Sequence, residues 1–309
     1  MVTCVATRQI SSYNAVGVKL KRAHWLAAIG VSAIALSGCR THRTDYVDKP
    51  RIEPGVLIRD IVFRSRALNR EMRYRVALPV SIPPAQRLAV VYLLHGVGGD
   101  YRDWTNLSDV AGYAKSTLIL VMPQGDNSYY VNAVGRPDDR YEDYITKDLI
   151  ADVEARFPAA TVREKRAIAG ISMGGFGAIK IGLSHPALFN SVAALSAAID
   201  VPRRSPSLRG MRQFLRYRPL FGPWASDARK NRDPFLIARS TDPAIAPYIF
   251  LTCGDQDGFL PANREFAALL ERQHLAHEFH EEPGGHDWNR WNADLPAMVT
   301  YLLQHLEGI

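Results

Sequence analysis

Short apolar runs alternate with longer stretches of helical period along most of the chain. Two alternating segments at 58–65 and 72–78, within the span 56–79, flank a turn near Asn69 and predict a β-hairpin. Residues 88–94 and 117–122 are continuous apolar runs, the pattern of central strands covered on both faces. From Tyr141 to Phe157 the positions Tyr144, Ile145, Leu149, Val153 and Phe157 fall near helical spacing, and Pro158 closes the segment. Further on, the pattern predicts a strand at 166–170 with a helix from Met173, then strands at 191–197 and 248–252. A helix at 261–274, a strand at 277–281 and a final helix at 288–306 complete the series. This alternation predicts an α/β fold with a mostly parallel central sheet and helices on both faces. No internal repeat or low-complexity tract interrupts it.

Two regions break the rhythm. Residues 41–55 are polar, with Pro50 and Pro54, and read as a tether. Between 201 and 235, Arg203, Arg204, Arg209, Arg212, Arg216 and Arg218 precede any acid, and Pro202, Pro206, Pro219 and Pro223 interrupt the segment. A solvated surface insertion is the expected form. The alternative is a cap over a site, its arginines favouring anionic substrates or anionic lipid headgroups.

The N-terminus has the layout of an export signal. Lys19, Lys21 and Arg22 precede the uncharged apolar run 25–36, which is short for a membrane-spanning helix. The run ends in Leu36-Ser37-Gly38-Cys39, which resembles the bacterial lipobox. That resemblance implies removal of residues 1–38 and a lipid-modified Cys39 anchoring an exported lipoprotein. Arg40 is not the aspartate associated with inner-membrane retention, which directs the expectation to the outer membrane. The expected organisation is a signal over 1–38, a tether over 39–55 and one catalytic domain over 56–309. Cys4 lies in the signal and Cys39 at the anchor, so Cys253 is left alone after an apolar strand. No intramolecular disulfide is expected, and Cys253 reads as a packing residue. The formal charge of +7 falls to +3 once Arg8, Lys19, Lys21 and Arg22 leave with the signal, which contains no acid. That balance gives no support to a nucleic-acid partner.

Gly170-Ile-Ser172-Met-Gly174 sits between a strand and a helix, the form of a turn that exposes a serine for nucleophilic attack. A serine needs a base to take its proton and a third group to hold that base. Cys253-Gly-Asp255-Gln-Asp257-Gly and Gly284-Gly-His286-Asp-Trp288 each follow a strand, in the order serine, acid, histidine. Spacing leaves Asp255 and Asp257 both open as the acid, and turn roles are the bland reading for either. An oxyanion hole needs two amide donors. The Met173 amide is one candidate. The other comes from the loop His95-Gly96-Val97-Gly98-Gly99-Asp100, at Val97 or Gly98, with His95 as a prop. Tyr129, Tyr130 and Asn132 follow a strand end, where they line a substrate pocket or pack the loop. His274, His277 and His280 do not form a metal motif, and neither a metal nor a cofactor is expected.

Several motifs together resemble the esterase D family of α/β-hydrolases. They are Tyr92-Leu-Leu-His-Gly96, Asp103-Trp104, Ser128-Tyr129-Tyr130-Val-Asn132, Gly170-Ile-Ser-Met-Gly-Gly175, Cys253-Gly-x-x-Asp257 and Gly284-Gly-His-Asp-Trp288. That family includes S-formylglutathione hydrolases, tributyrin-type carboxylesterases, feruloyl and acetylxylan esterases and mycobacterial mycolyltransferases. The resemblance implies an α/β-hydrolase fold and a serine carboxylesterase acting on ester or thioester bonds. It implies Ser172 as nucleophile, Asp257 rather than Asp255 as the acid, and His286 as the base. Expected substrates are small-molecule, lipid or polysaccharide esters. Two alternatives stand beside it: an acyltransferase moving the acyl group to a sugar or lipid hydroxyl, and a non-catalytic envelope-binding protein on the same scaffold.

Overall fold

The computed structural model describes residues 47–115, 117–207 and 211–306. The predicted signal and Cys39 lie outside the described residues. The strands are β1 (Val56–Ser65), β2 (Arg70–Pro79), β3 (Ala89–Leu94), β4 (Leu118–Pro123), β5 (Arg166–Ile171), β6 (Ser191–Leu195), β7 (Tyr248–Gly254) and β8 (His277–Glu282). They form one sheet in the order β1-β2-β4-β3-β5-β6-β7-β8. The β1–β2 and β2–β4 pairs are antiparallel and all others parallel. The helices are α1 (Asp103–Leu107), α2 (Tyr141–Asp143), α3 (Ile150–Arg156), α4 (Met173–Ser184), α5 (Met211–Phe221), α6 (Asp227–Lys230), α7 (Pro234–Ser240), α8 (Leu260–Arg272) and α9 (Trp288–His305). No helix among the described residues is long and apolar enough to cross a membrane.

Strands β3 to β6 are buried along their whole length, so their side chains feed two cores, one on each face of the sheet. Val90, Tyr92, Leu94 and Ile168 pack on the α4 side, and Val91, Leu93, Ala169 and Ile171 on the side of α1 and α9. This explains why these strands read as continuous apolar runs rather than as alternations. Asn69, with φ +48°, turns the hairpin where the sequence put it.

The expected helix over 141–157 is interrupted. Residues Tyr144–Leu149 form a π-helical stretch between α2 and α3, a widened turn that sequence periodicity does not announce. The stretch and α2 before it serve different neighbours. Asp148 accepts from the Ser65 hydroxyl at 2.6 Å and the Ala67 amide at 2.8 Å, holding the hairpin. Glu142 instead meets Lys180 of α4, a side chain only 5 % exposed, and His185 Nε2 lies 2.8 Å from the same oxygen.

Burial would raise the Glu142 pKa, but His185 and Lys180 outweigh it and hold the carboxyl at about 2. Glu142→Gln leaves the Lys180 ammonium buried without its countercharge, so a loss of about 3–5 kcal/mol is expected at neutral pH. The folded carboxyl titrates below its unfolded value of about 4.3, so its contribution is full above that pH and fades as the pH falls towards 2. Urea unfolding at pH 7 and pH 3 checks this: the gap between parent and variant should narrow at the lower pH.

The tether expected over 39–55 is laid on the domain from Asp48 onward. Arg75, buried in β2, binds Asp48 at 2.6 Å and Asp60 at 2.6 Å. Arg51 donates its amide to the Thr105 carbonyl at 2.8 Å, and its side chain pairs with Asp109 at 3.0 Å. Polar composition resembled a linker because the partners of these charges lie far away in sequence.

The arginine-rich segment also departs from a solvated insertion. Leu220, Phe221 and Phe235 are buried in the core on the α4 side. Arg229 is 3 % exposed, donating to the Pro202 carbonyl at 2.7 Å and the Gly222 carbonyl at 2.9 Å. One side of α5 is aromatic, and that stripe anchors the segment while the arginines on the other side stay in water.

Candidate active site

Ser172 stands between β5 and α4 with φ +53° and ψ −112°, a conformation that costs a non-glycine residue energy. Its neighbours explain how the bend closes. A Cβ on Gly170 would lie 2.3 Å from the Gly174 carbonyl carbon, and one on Gly174 would lie 2.2 Å from the Leu94 carbonyl oxygen. Strand and helix therefore approach too closely for any side chain at either position. The Ser172 amide donates to Leu195 at 2.9 Å, and its carbonyl accepts from Ala198 at 3.0 Å. These bonds hold the bend rigid and leave the hydroxyl free to point at its neighbour.

That neighbour is His286, from the loop between β8 and α9. Its Nε2 is 2.9 Å from Ser172 Oγ, and its Nδ1 is 2.7 Å from Asp257 Oδ2. The Asp257 side chain is fully buried, while that of His286 is 32 % exposed. Burial alone would raise the Asp257 pKa. Hydrogen bonds from His286 and the Phe259 amide reverse this and hold the carboxyl below its ordinary value. An ionised carboxylate only accepts, so the proton sits on Nδ1 and the lone pair of Nε2 faces the serine. Asp255 points elsewhere, accepting from the Gly284 amide at 3.0 Å as a turn residue.

The loop after β3 lies over this group; a Cβ added to Gly96 would be 3.5 Å from Ser172 Cβ. His95 is fully buried, and its pKa is lowered chiefly by burial. The Gly125 amide donates to Nε2 at 2.9 Å, which places the ring proton on Nδ1, 2.8 Å from the Gly96 carbonyl oxygen. His95 is thus a neutral prop between two loops. Of the two loop amides, that of Gly98 is engaged, donating to Asn127 Oδ1 at 2.8 Å. Val97 and Gly98 are both exposed, so it is the bond to Asn127 that separates them. The Met173 amide opens the first turn of α4, where helix geometry offers it no intrahelical acceptor.

The three expected pocket residues separate. Tyr129 joins a ring cluster with Phe176, Tyr217 and Phe221 at centroid distances of 5.5, 5.2 and 5.7 Å. Its hydroxyl lies 3.1 Å from that of Tyr217. Tyr130 is fully buried and donates to the His95 carbonyl at 3.1 Å, so it braces the loop. Asn132 is tied to Asp143 at 3.1 and 3.2 Å, and its carbonyl accepts from Arg232. Neither is free to meet a ligand; a motif places a residue in a loop without saying which way it points.

Other neighbours went unnoticed in the sequence. Phe259 and Trp291 each sit 5.1 Å from the His286 ring, and the Arg204 guanidinium lies 5.3 Å over Phe259. Phe259 had one signal, its place two residues beyond Asp257. Tyr217 had none, because the segment containing it breaks the periodic pattern. Cys253 is buried, and burial pushes its thiol up to about 12, in keeping with a packing residue. No cluster of metal-ligating side chains exists among the described residues.

A serine at a strand-to-helix bend, an imidazole beside it and a carboxylate behind that imidazole, all at the carboxyl ends of the strands, define the class of α/β-hydrolases. Residues 65–302 match the model of the esterase family described as "Putative esterase". The chain belongs to that family and is a carboxylic ester hydrolase. It is 27 % identical over 250 residues to an acetyl esterase of Caldicellulosiruptor saccharolyticus, covering 76 % of this chain and 94 % of that protein. It is 28 % identical over 271 residues to an esterase of Mycobacterium tuberculosis, covering 78 % of this chain but 58 % of that protein. The fold is shared with FphF, a fluorophosphonate-binding serine hydrolase of Staphylococcus aureus. That match has a TM-score of 0.69 at 24 % identity over 80 % of this chain and 98 % of the other. An S-formylglutathione hydrolase from Agrobacterium tumefaciens matches with a TM-score of 0.69 at 19 % identity, over 84 % and 98 % of the two chains.

Proposed function

We propose that Ser172 attacks an ester carbonyl and carries the acyl group, with His286 as general base and Asp257 orienting and balancing it. The observation that carries this reading is His286 held between Ser172 Oγ at 2.9 Å and Asp257 at 2.7 Å. Attack passes the serine proton to Nε2, and the imidazolium so formed faces a carboxylate that already accepts from Nδ1. The tetrahedral oxyanion is received by the amides of Met173 and Val97, Gly98 being engaged with Asn127. The imidazolium then protonates the leaving alcohol. Water, deprotonated by His286, releases the acid and restores the serine.

The proposed substrates are esters of short carboxylic acids, acetate first, a reading supported by the acetyl esterase relative. Water is the proposed acceptor; a product assay with added sugar and lipid alcohols tests the acyltransferase alternative. Incubation with a fluorophosphonate followed by peptide mapping should place one adduct on Ser172. An adduct on another residue, or none on active protein, would overturn the assignment.

The lipobox-like run at 36–39 supports export and anchoring through Cys39 on the outer membrane. Cys39→Ala should shift the protein from the membrane to the soluble fraction; continued membrane association would point to another attachment.

A further inference from the structure

The ester chemistry proposed above leaves the outer side of α5 without a task. Phe214, Tyr217, Leu220 and Phe221 share its inner side. Met211 and Leu215 lie opposite, 41 % and 54 % exposed, with exposed Arg212, Arg216 and Arg218 around them. Earlier in the segment, Arg203 pairs with Glu265 at 2.8 Å and Arg204 with Asp200 at 2.9 Å. Arg212, Arg216 and Arg218 make no ion pair among the described residues, and no acid occurs between 201 and 226.

Three unbalanced cations around an apolar centre suit few partners. A second copy would bring the same charge against it. Nucleic acid would use the arginines and gain little from Met211 and Leu215. An anionic lipid surface uses both: guanidinium groups engage headgroup phosphates while the apolar side chains enter the boundary beneath. We propose that the outer side of α5 docks this protein on a membrane rich in anionic lipid.

The same helix reaches inward to the site. Tyr217 packs on Tyr129, which packs on Phe176 of α4, the helix capped by Ser172. Docking would hold the Ser172 site against the surface and select acyl esters carried in the membrane. This second half rests on the Ser172 reading; the docking itself does not.

The test uses the full chain with trypsin, which cuts at arginine. Vesicles of phosphatidylglycerol and phosphatidylcholine should slow scission after Arg212 and Arg216 about tenfold relative to phosphatidylcholine alone, with protection lost at high salt; Arg218, followed by Pro219, is not a trypsin site. Equal cleavage in both vesicles, equal protection by both, or lipid-free protection that grows with protein concentration would overturn it. The substrate half has its own readout. The triple change Arg212→Glu, Arg216→Glu and Arg218→Glu should raise KM about tenfold for an ester carried in the anionic vesicles, with hydrolysis of soluble p-nitrophenyl acetate within about twofold of the parent. An unchanged vesicle KM would overturn this half. If the Ser172 reading fails instead, both hydrolysis assays still occur in Ser172→Ala, while the trypsin pattern still reports docking.

Discussion

Ser172→Ala is expected to lower kcat on p-nitrophenyl acetate by roughly 10⁴–10⁶-fold with the fold intact. The backbone bonds that hold the bend, from the Ser172 amide to Leu195 and from Ala198 to the Ser172 carbonyl, do not involve the hydroxyl. The side chain makes no capping bond to α4 either. Among the described residues its Oγ meets only His286, so removing it takes away the attacking atom and little structural support. Thermal unfolding of the variant should therefore match the parent within a few degrees while turnover collapses. A variant retaining a tenth of the parental rate would sink the Ser172 mechanism, and a large fall in melting temperature would make the lost activity uninformative.

What the sequence made legible follows from how each feature is encoded. Strands β3 to β6 are buried on both faces, and their apolar runs are local and continuous. The bend at Ser172 is written in adjacent residues, because Gly170 must clear the Gly174 backbone and Gly174 that of Leu94. Partners distant in sequence were harder to read. The π stretch at Tyr144–Leu149 and α2 before it meet neighbours as far apart as Ser65 and Lys180. The polar run after Asp48 resembled a linker because its counter-charges, Arg75 and Asp109, come later in the chain. Tyr130 and Asn132 belong to a shared motif yet face the protein interior, and the Gly98 amide is taken by an asparagine side chain. Choosing between Asp255 and Asp257 needed the resemblance, since both end the same strand loop; in the structure only Asp257 meets the imidazole.

The segment over 201–235 joins the two kinds of information. Its charge was plain from composition, and its aromatic stripe became meaningful once Tyr217 was seen on Tyr129 and Phe221 on Phe176. On the docking proposed above, a helix with one side packed on Tyr129 and Phe176 and the other in water links the surface it meets to residues beside the helix that Ser172 caps. Short esters diffusing in water and esters presented at a surface should therefore respond differently to changes on its outer side.

Asp257→Asn should reduce kcat by about 10⁴-fold, and its cause can be separated from misfolding. Asp257 Oδ1 accepts from the Phe259 amide at 2.8 Å, a bond that asparagine keeps through its carbonyl oxygen. Oδ2 accepts from His286 Nδ1 at 2.7 Å, and there an amide NH₂ has only protons to offer. The imidazole must then accept at Nδ1 and carry its proton on Nε2, against Ser172 Oγ, where no lone pair remains to take the serine proton. Asp257→Glu retains the acceptor with a displaced carboxylate and should lose about 10²-fold, the scale of a misplacement near 1 Å. The ordering parent, glutamate, asparagine in kcat, with KM changing little, is what a group acting through the histidine tautomer produces. Equal losses in the two variants would indicate damage to the loop. An asparagine variant within tenfold of the parent would transfer the role to another carboxylate, for which Asp255 is the neighbour to test.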